Sequence, residues 1–162
     1  MQLAIVFLGA SVNLQYVASV AAASLLVMLG TLTVGLLGIW QFGRLLGVNQ
    51  RLTTLLAAGT SICGASAIAA TAPIIGAEAT DVNFAIPVIF LFNVAAVVIF
   101  PLLGHVFGFD AQTFGVWAGT AVNDTSSVLA AGYAFGGGAA AVAAVVKLAR
   151  TVCILPLCAI LV

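Results

Sequence analysis

Residues 84–107 read FAIPVIFLFNVAAVVIFPLLGHVF, and within this run Ile86-Pro87-Val88-Ile89-Phe90-Leu91-Phe92 is apolar on every face of any regular element. A half-wet strand would alternate apolar and polar residues, and a surface helix would carry a polar stripe. Neither pattern is present. Crossing the hydrocarbon core of a bilayer takes about 20 apolar residues at about 1.5 Å rise each, so the run is expected to form an α-helix among lipid and other helices. A β-barrel would need strands of about ten residues that alternate in polarity. The sequence contains no such alternation.

The rest of the chain has the same character. Of 162 residues, 64% are hydrophobic and 5% charged, with a mean hydropathy of +1.33, whereas a soluble domain carries about 25% charged residues. Four Lys and Arg with four Asp and Glu cannot coat a water-exposed surface, so the lipid bilayer is the expected surrounding. Net charge is zero and there is no basic cluster, which excludes nucleic acid as a partner. Polar and turn residues divide the chain into apolar segments at about 17–40, 52–75, 84–107, 114–135 and 139–162, with a half-helix at 1–8 that is too short to span. The expected fold is therefore all-α: a polytopic transmembrane bundle of about five spans plus an N-terminal half-helix. Short connections at Gly43-Arg44 to Arg51, Glu78 to Asp81, Gly108 to Asp110 and Gly136-Gly137-Gly138 leave room for a single transmembrane domain over 1–162. With Arg44 and Arg51 in the first loop, the positive-inside rule places that loop in the cytoplasm of a multi-pass protein of the cell inner membrane. The first 23 residues lack a basic region ahead of the apolar run and are not read as a cleaved signal.

Two of these segments carry polar interruptions that resemble each other at an offset of 60 residues. Ala58-Gly59-Thr60-Ser61-Ile62-Cys63-Gly64-Ala65-Ser66 aligns with Ala118-Gly119-Thr120-Ala121-Val122-Asn123-Asp124-Thr125-Ser126. Gly, Ser, Thr and Asn at mid-segment let a helix unwind, and unwound backbone survives there only against protein or a water-filled cavity. One or two discontinuous helices are therefore expected, although small residues also serve simply to let helices pack closely. Asp124 adds a carboxyl at mid-span, which costs about 2.5–3.5 kcal/mol to insert unpaired. Lys147 and Arg150, three residues apart on the last segment, are the expected partners of Asp124. A single crossing separates the second and fourth segments, so they should run in the same direction and their likeness should not be an inverted repeat.

Other polar residues signal less. Cys63, Cys153 and Cys158 sit in apolar runs without paired spacing and read as packing residues. His105 stands alone and reads as an interfacial or packing residue, with no metal site expected. Pro73, Pro87, Pro101 and Pro156 should kink or end helices, and Trp40 and Trp117 suit interfacial belts. No nucleophile-elbow, zinc-protease or phosphate-loop spacing is present, so no catalytic residue, cofactor or enzymatic activity is expected.

Three motifs in one order carry a family resemblance: Gly59-Thr60-Ser61-Ile62-Cys63-Gly64-Ala65-Ser66-Ala67-Ile68, then Phe114-Gly115-Val116-Trp117-Ala118-Gly119-Thr120 leading into Asn123-Asp124-Thr125, then Val146-Lys147-Leu148-Ala149-Arg150 with Pro156. Through nearly its whole length the chain resembles the bacterial membrane proteins named for sulfate export, and it looks like the central portion of the longer family chain. The resemblance implies a secondary transporter with inverted repeats and unwound crossing helices, distantly similar to cation:proton antiporters and bile-acid symporters. Residue 123 is Asn where the resemblance implies His in many members.

The expected function is therefore a carrier of a small anion such as sulfate or a sulfonate, driven by a coupled proton or cation. Asn123, Asp124, Thr125, Ser126, Lys147, Arg150, Gly59, Thr60, Ser61, Cys63, Gly64 and Ser66 are the candidate substrate and ion site. The alternative is a structural membrane remnant that transports only if a homodimer supplies the missing inverted partners.

Overall fold

A computed structural model describes residues 14–152 and 154–161. The half-helix expected at 1–8 and Cys153 lie outside them. The described residues are helical, without a strand: α1 (Leu14–Leu45), α2 (Gln50–Ser61), α3 (Ala65–Ile74), α4 (Ala79–Val106), α5 (Ala111–Ala121), α6 (Thr125–Phe135), α7 (Ala139–Thr151) and α8 (Ile154–Leu161). Helix ends follow local chemistry. Asn49 accepts from the Arg51 N–H at the start of α2, Glu78 and Asp81 form a reciprocal capping box on α4, and Asp110 accepts from the Thr113 N–H at the start of α5. Pro87 and Pro101 lie inside α4, and Pro73 lies near the end of α3.

The second and fourth apolar segments are broken where the sequence predicts, at Ile62 to Gly64 and at Val122 to Asp124. Each break reverses the chain. Arg51, in the first turn of α2, pairs with Glu78 at 3.2 Å, and Asn49 Nδ2 donates to Asp81 Oδ1 at 3.3 Å. A straight helix from Gln50 to Ile74 would hold its ends more than 30 Å apart at about 1.5 Å per residue, so α2 and α3 form a helical hairpin. On the other segment, the rings of Phe114 and Phe135 stack at 4.0 Å, and a Cβ on Gly137 would lie 3.2 Å from Ala111 Cβ. Helices α5 and α6 therefore form a second hairpin.

Helix α4 sets how the two hairpins face. Its first turn lies at the base of the α2–α3 hairpin through Asp81, and Ile89 lies beside the first tip, where a Cβ on Gly64 would be 3.5 Å from its Cγ2. One turn further on, Asn93 Oδ1 accepts from the Asp124 N–H at the second tip, at 3.1 Å. Gly104 then packs on Phe114 at the base of the second hairpin. The hairpins thus enter from opposite ends of the molecule and meet tip to tip. This overturns the expectation that the two segments run in the same direction. With α4 carrying the chain from one end to the other between them, the 60-residue likeness is an inverted repeat of long helix plus hairpin, α1–α2–α3 followed by α4–α5–α6. The same reversal puts Arg51 and Glu78 at one end of the molecule, where uninterrupted spans would have separated them.

Close packing rests on small residues. A Cβ on Gly119 would lie 2.8 Å from Ala143 O, one on Gly115 would lie 2.6 Å from Val142 Cβ, and one on Gly35 would meet Ser61 Oγ at 2.7 Å. Trp117 stacks on Phe100 at 4.3 Å with its edge to Phe109 and Phe114, so it is a packing residue where a belt position was expected. Trp40 is exposed at the end of α1, with the Arg44 guanidinium 5.7 Å from its ring centroid. The outer face of α4 presents Phe84, Phe90, Leu91, Val98 and Leu102. This helix of 28 residues is long and apolar enough to cross a membrane.

Candidate functional site

Each hairpin tip exposes helix ends that need partners. The last carbonyls of α2 and α5 have no intrahelical donor and carry the negative end of the helix dipole, and both point to α7. Helix α7 runs along the second hairpin from base to tip, because Gly115 abuts Val142 and Gly119 abuts Ala143 and Val146. One turn further on, Lys147 and Arg150 arrive at the meeting point. Lys147 Nζ donates to Ile62 O and to Val122 O, each at 2.8 Å. Arg150 Nε donates to Ser61 O at 2.5 Å, and its Nη1 donates to Thr120 O and to Thr31 Oγ1. Both cations are almost fully buried, at 1% and 3% exposure. Together they tie the two opposed tips into one body.

Asp124 is the N-cap of α6. Its Oδ2 accepts from the backbone N–H groups of Ser126 and Ser127 and from the Ser126 hydroxyl. The expected pairing of Asp124 with Lys147 or Arg150 is corrected here. The carboxylate is held by the positive end of α6, and the cations serve the carbonyl ends of α2 and α5. Among the described residues, two cations and one carboxylate stand where the tips meet.

The first tip is quieter. Gly64 takes φ +71°, a conformation that favours glycine, and caps α3 without a side-chain hydrogen bond. Ser66 Oγ donates to Cys63 O at 3.0 Å and lies 2.9 Å from Cys63 Sγ. Ser61 is buried, and its hydroxyl has no partner among the described residues. Thr120 donates back to Val116 O. Every one of the twelve candidate residues lies on a tip, in the half-helix turn beside it, or on α7 facing both. His105 lies elsewhere, stacked on Phe135 at 4.5 Å at the base of the second hairpin.

A cleft of about 440 Å³ opens beside the tips, lined by Thr60 from α2, Val122 and Asn123 from the second tip, Asn93 and Phe92 from α4, and Ile39 from α1. Asn93 escapes sequence reasoning, since one Asn in an apolar helix matches no motif. Its burial at 4% exposure and its bond to the Asp124 backbone emerge only in three dimensions.

The whole chain, residues 1–162, matches the family described as Conserved hypothetical protein 698. It is 45% identical over 96% of its length to a UPF0324 membrane protein of Clostridium tetani, of which it covers 45%. It is 42% identical to one of Fusobacterium nucleatum and 45% identical to one of Streptococcus pneumoniae, over 97% of this chain and 47% and 48% of those relatives. The chain thus spans about half the length of the curated relatives it matches. No solved structure matches it. The chain belongs to this family of membrane proteins.

Proposed function

From membership in that membrane-protein family, we propose that this chain is the core of a secondary carrier for a small anion, such as sulfate or a sulfonate, and that it crosses the inner membrane several times. The observation that carries the reading is the meeting of two opposed helical hairpins on a pair of buried cations. Each hairpin arm of 10 to 12 residues covers about 15–18 Å, or half of a hydrocarbon core of about 30 Å. The tips would therefore sit near the bilayer midplane, where irregular backbone persists only against protein or a cavity. An inverted repeat presents equivalent surfaces to the two sides of the membrane, as alternating access requires. Among the described residues, Lys147 and Arg150 stand with the single carboxylate of Asp124 where the tips meet, which supports an anionic substrate, with the substrate side of the site formed by Asn123, Thr60 and the tip residues Gly59, Gly64 and Ser66.

A coupled proton or cation would drive the carrier. The reading of a structural remnant that needs a homodimer drew its force from missing inverted partners. The opposed hairpins supply those partners within one chain, so the carrier reading stands first.

Reconstituted into liposomes, the chain should exchange internal for external radiolabelled sulfate or methanesulfonate, and Asn123→Leu should slow exchange at least tenfold. Liposomes that exchange no faster than empty ones, or an Asn123→Leu variant as fast as the parent, would overturn the reading.

A further inference from the structure

The cleft beside the tips holds three polar side chains with unused hydrogen-bonding capacity. Asn93 Oδ1 accepts from the Asp124 N–H; a backbone N–H can only donate, so the amide orientation is fixed and Nδ2 is left as a donor. That Nδ2, the Asn123 side-chain amide and the Thr60 hydroxyl have no hydrogen-bond partner among the described residues, although Asn93 and Asn123 are only 4% and 6% exposed. Because all three residues line the open cleft, their free donors are available to a ligand there, and a ligand would have to replace the water they meet. Around these three groups the wall is apolar, with Phe92, Phe100, Ile39 and Leu56. Lys147 and Arg150 do not line the cleft. They donate to the Ile62, Val122, Ser61 and Thr120 carbonyls, and Lys147 reaches the cleft only as positive charge behind Val122.

We infer that this cleft is a ligand site for a small organic acid with an apolar body, a sulfonate or carboxylate, whose head accepts from Asn93 Nδ2, Asn123 and Thr60. A bare sulfate dianion would leave the apolar wall unused and would have to lose its hydration against only neutral donors. An alkanesulfonate carries a single charge on the head and fills the wall with its chain. Asn93 is then the residue that joins recognition to the second tip, since the same amide holds the Asp124 backbone. The inference deepens the carrier reading, but its test is binding alone, so either can fail without the other.

The test measures affinity on the purified full chain in nanodiscs, by ligand-dependent shifts in unfolding temperature, for sulfate and for methanesulfonate through butanesulfonate. Affinity should rise by about fourfold per added methylene, with butanesulfonate at least tenfold tighter than sulfate. Asn93→Asp keeps the acceptor for the Asp124 N–H while replacing the donor with a negative charge, so it should lose butanesulfonate binding at least tenfold. Asn123→Ala should weaken binding as well. Sulfate binding as tightly as butanesulfonate, affinity independent of chain length, no binding of any probe, or an unaffected Asn93→Asp variant that unfolds at the parental temperature would each overturn the inference. Should Asn93→Asp unfold early, Asn123→Ala decides by the same criterion. Tight sulfate binding would sink the organic-acid site and leave the anion carrier intact.

Discussion

Asp124 illustrates how one carboxylate can be read in two ways that differ in energy. As an N-cap it stabilises α6 through the N–H groups of Ser126 and Ser127, a role that Asn performs about equally well. As the counter-ion of a buried cation it would be irreplaceable by a neutral amide, because removing one partner of a buried pair costs about 3–5 kcal/mol. Chemical denaturation in mild detergent separates the two. Asp124→Asn should lie within about 0.5 kcal/mol of the parent, and Asp124→Ala should lose about 1 kcal/mol. A loss above about 3 kcal/mol in Asp124→Asn would restore the ion-pair reading. Each of the two cations faces carbonyl oxygens at a helix C-terminus, where the dipole and the missing intrahelical donors favour positive charge.

At the level of elements, α5 and α7 are held together by the absence of side chains. Gly115 and Gly119 sit one helical turn apart, and a Cβ at Gly119 would meet the Ala143 carbonyl at 2.8 Å and Val146 Cβ at 2.9 Å. A backbone atom and a buried branched side chain cannot swing aside. Gly119→Ala should therefore destabilise the chain by about 1–3 kcal/mol. Gly30→Ala, on α1 with nothing within 4 Å of the added Cβ, should be neutral or stabilise by up to about 1 kcal/mol through helix propensity. Thermal unfolding of the two variants side by side makes the comparison, and equal midpoints would contradict the packing of α5 on α7. Since α7 also carries Lys147 and Arg150, loosening this contact should unseat the two cations from the tips.

For the whole molecule, the hairpins change which ends of the chain share a side. Uninterrupted spans would place residues 50 and 80 on opposite sides of the membrane, and likewise residues 112 and 134. In the folded chain Arg51 touches Glu78 and Ala111 lies beside Gly137, so each pair shares a side. In a background lacking Cys63, Cys153 and Cys158, Gln50→Cys and Thr80→Cys should react with an impermeant maleimide from one side, and Gln112→Cys and Ala134→Cys from the other. Labelling of Gln50→Cys and Thr80→Cys from opposite sides would refute the hairpin. At the first of these ends, Arg44 and Arg51 sit with Glu78 and Asp81.

Composition and spacing by themselves determined that the chain is helical and belongs in lipid, because 64% apolar residues admit no other solvent. They also located both helix breaks, since Gly, Ser and Asn mark where a backbone can leave the helix. Ten of the twelve candidate residues lie at or beside those breaks for the same reason, and the other two, Lys147 and Arg150, lie on α7. Only the tertiary structure decided that each break turns the chain back. A break frees a few dihedrals, and the angle that follows is set by what the next helix packs against, here Ile68 on Gly59 and Phe135 on Phe114. The partners of Lys147 and Arg150 could not be read for a related reason. They are backbone carbonyls, which every residue possesses, so no residue type announces them until the fold brings two helix ends to one place.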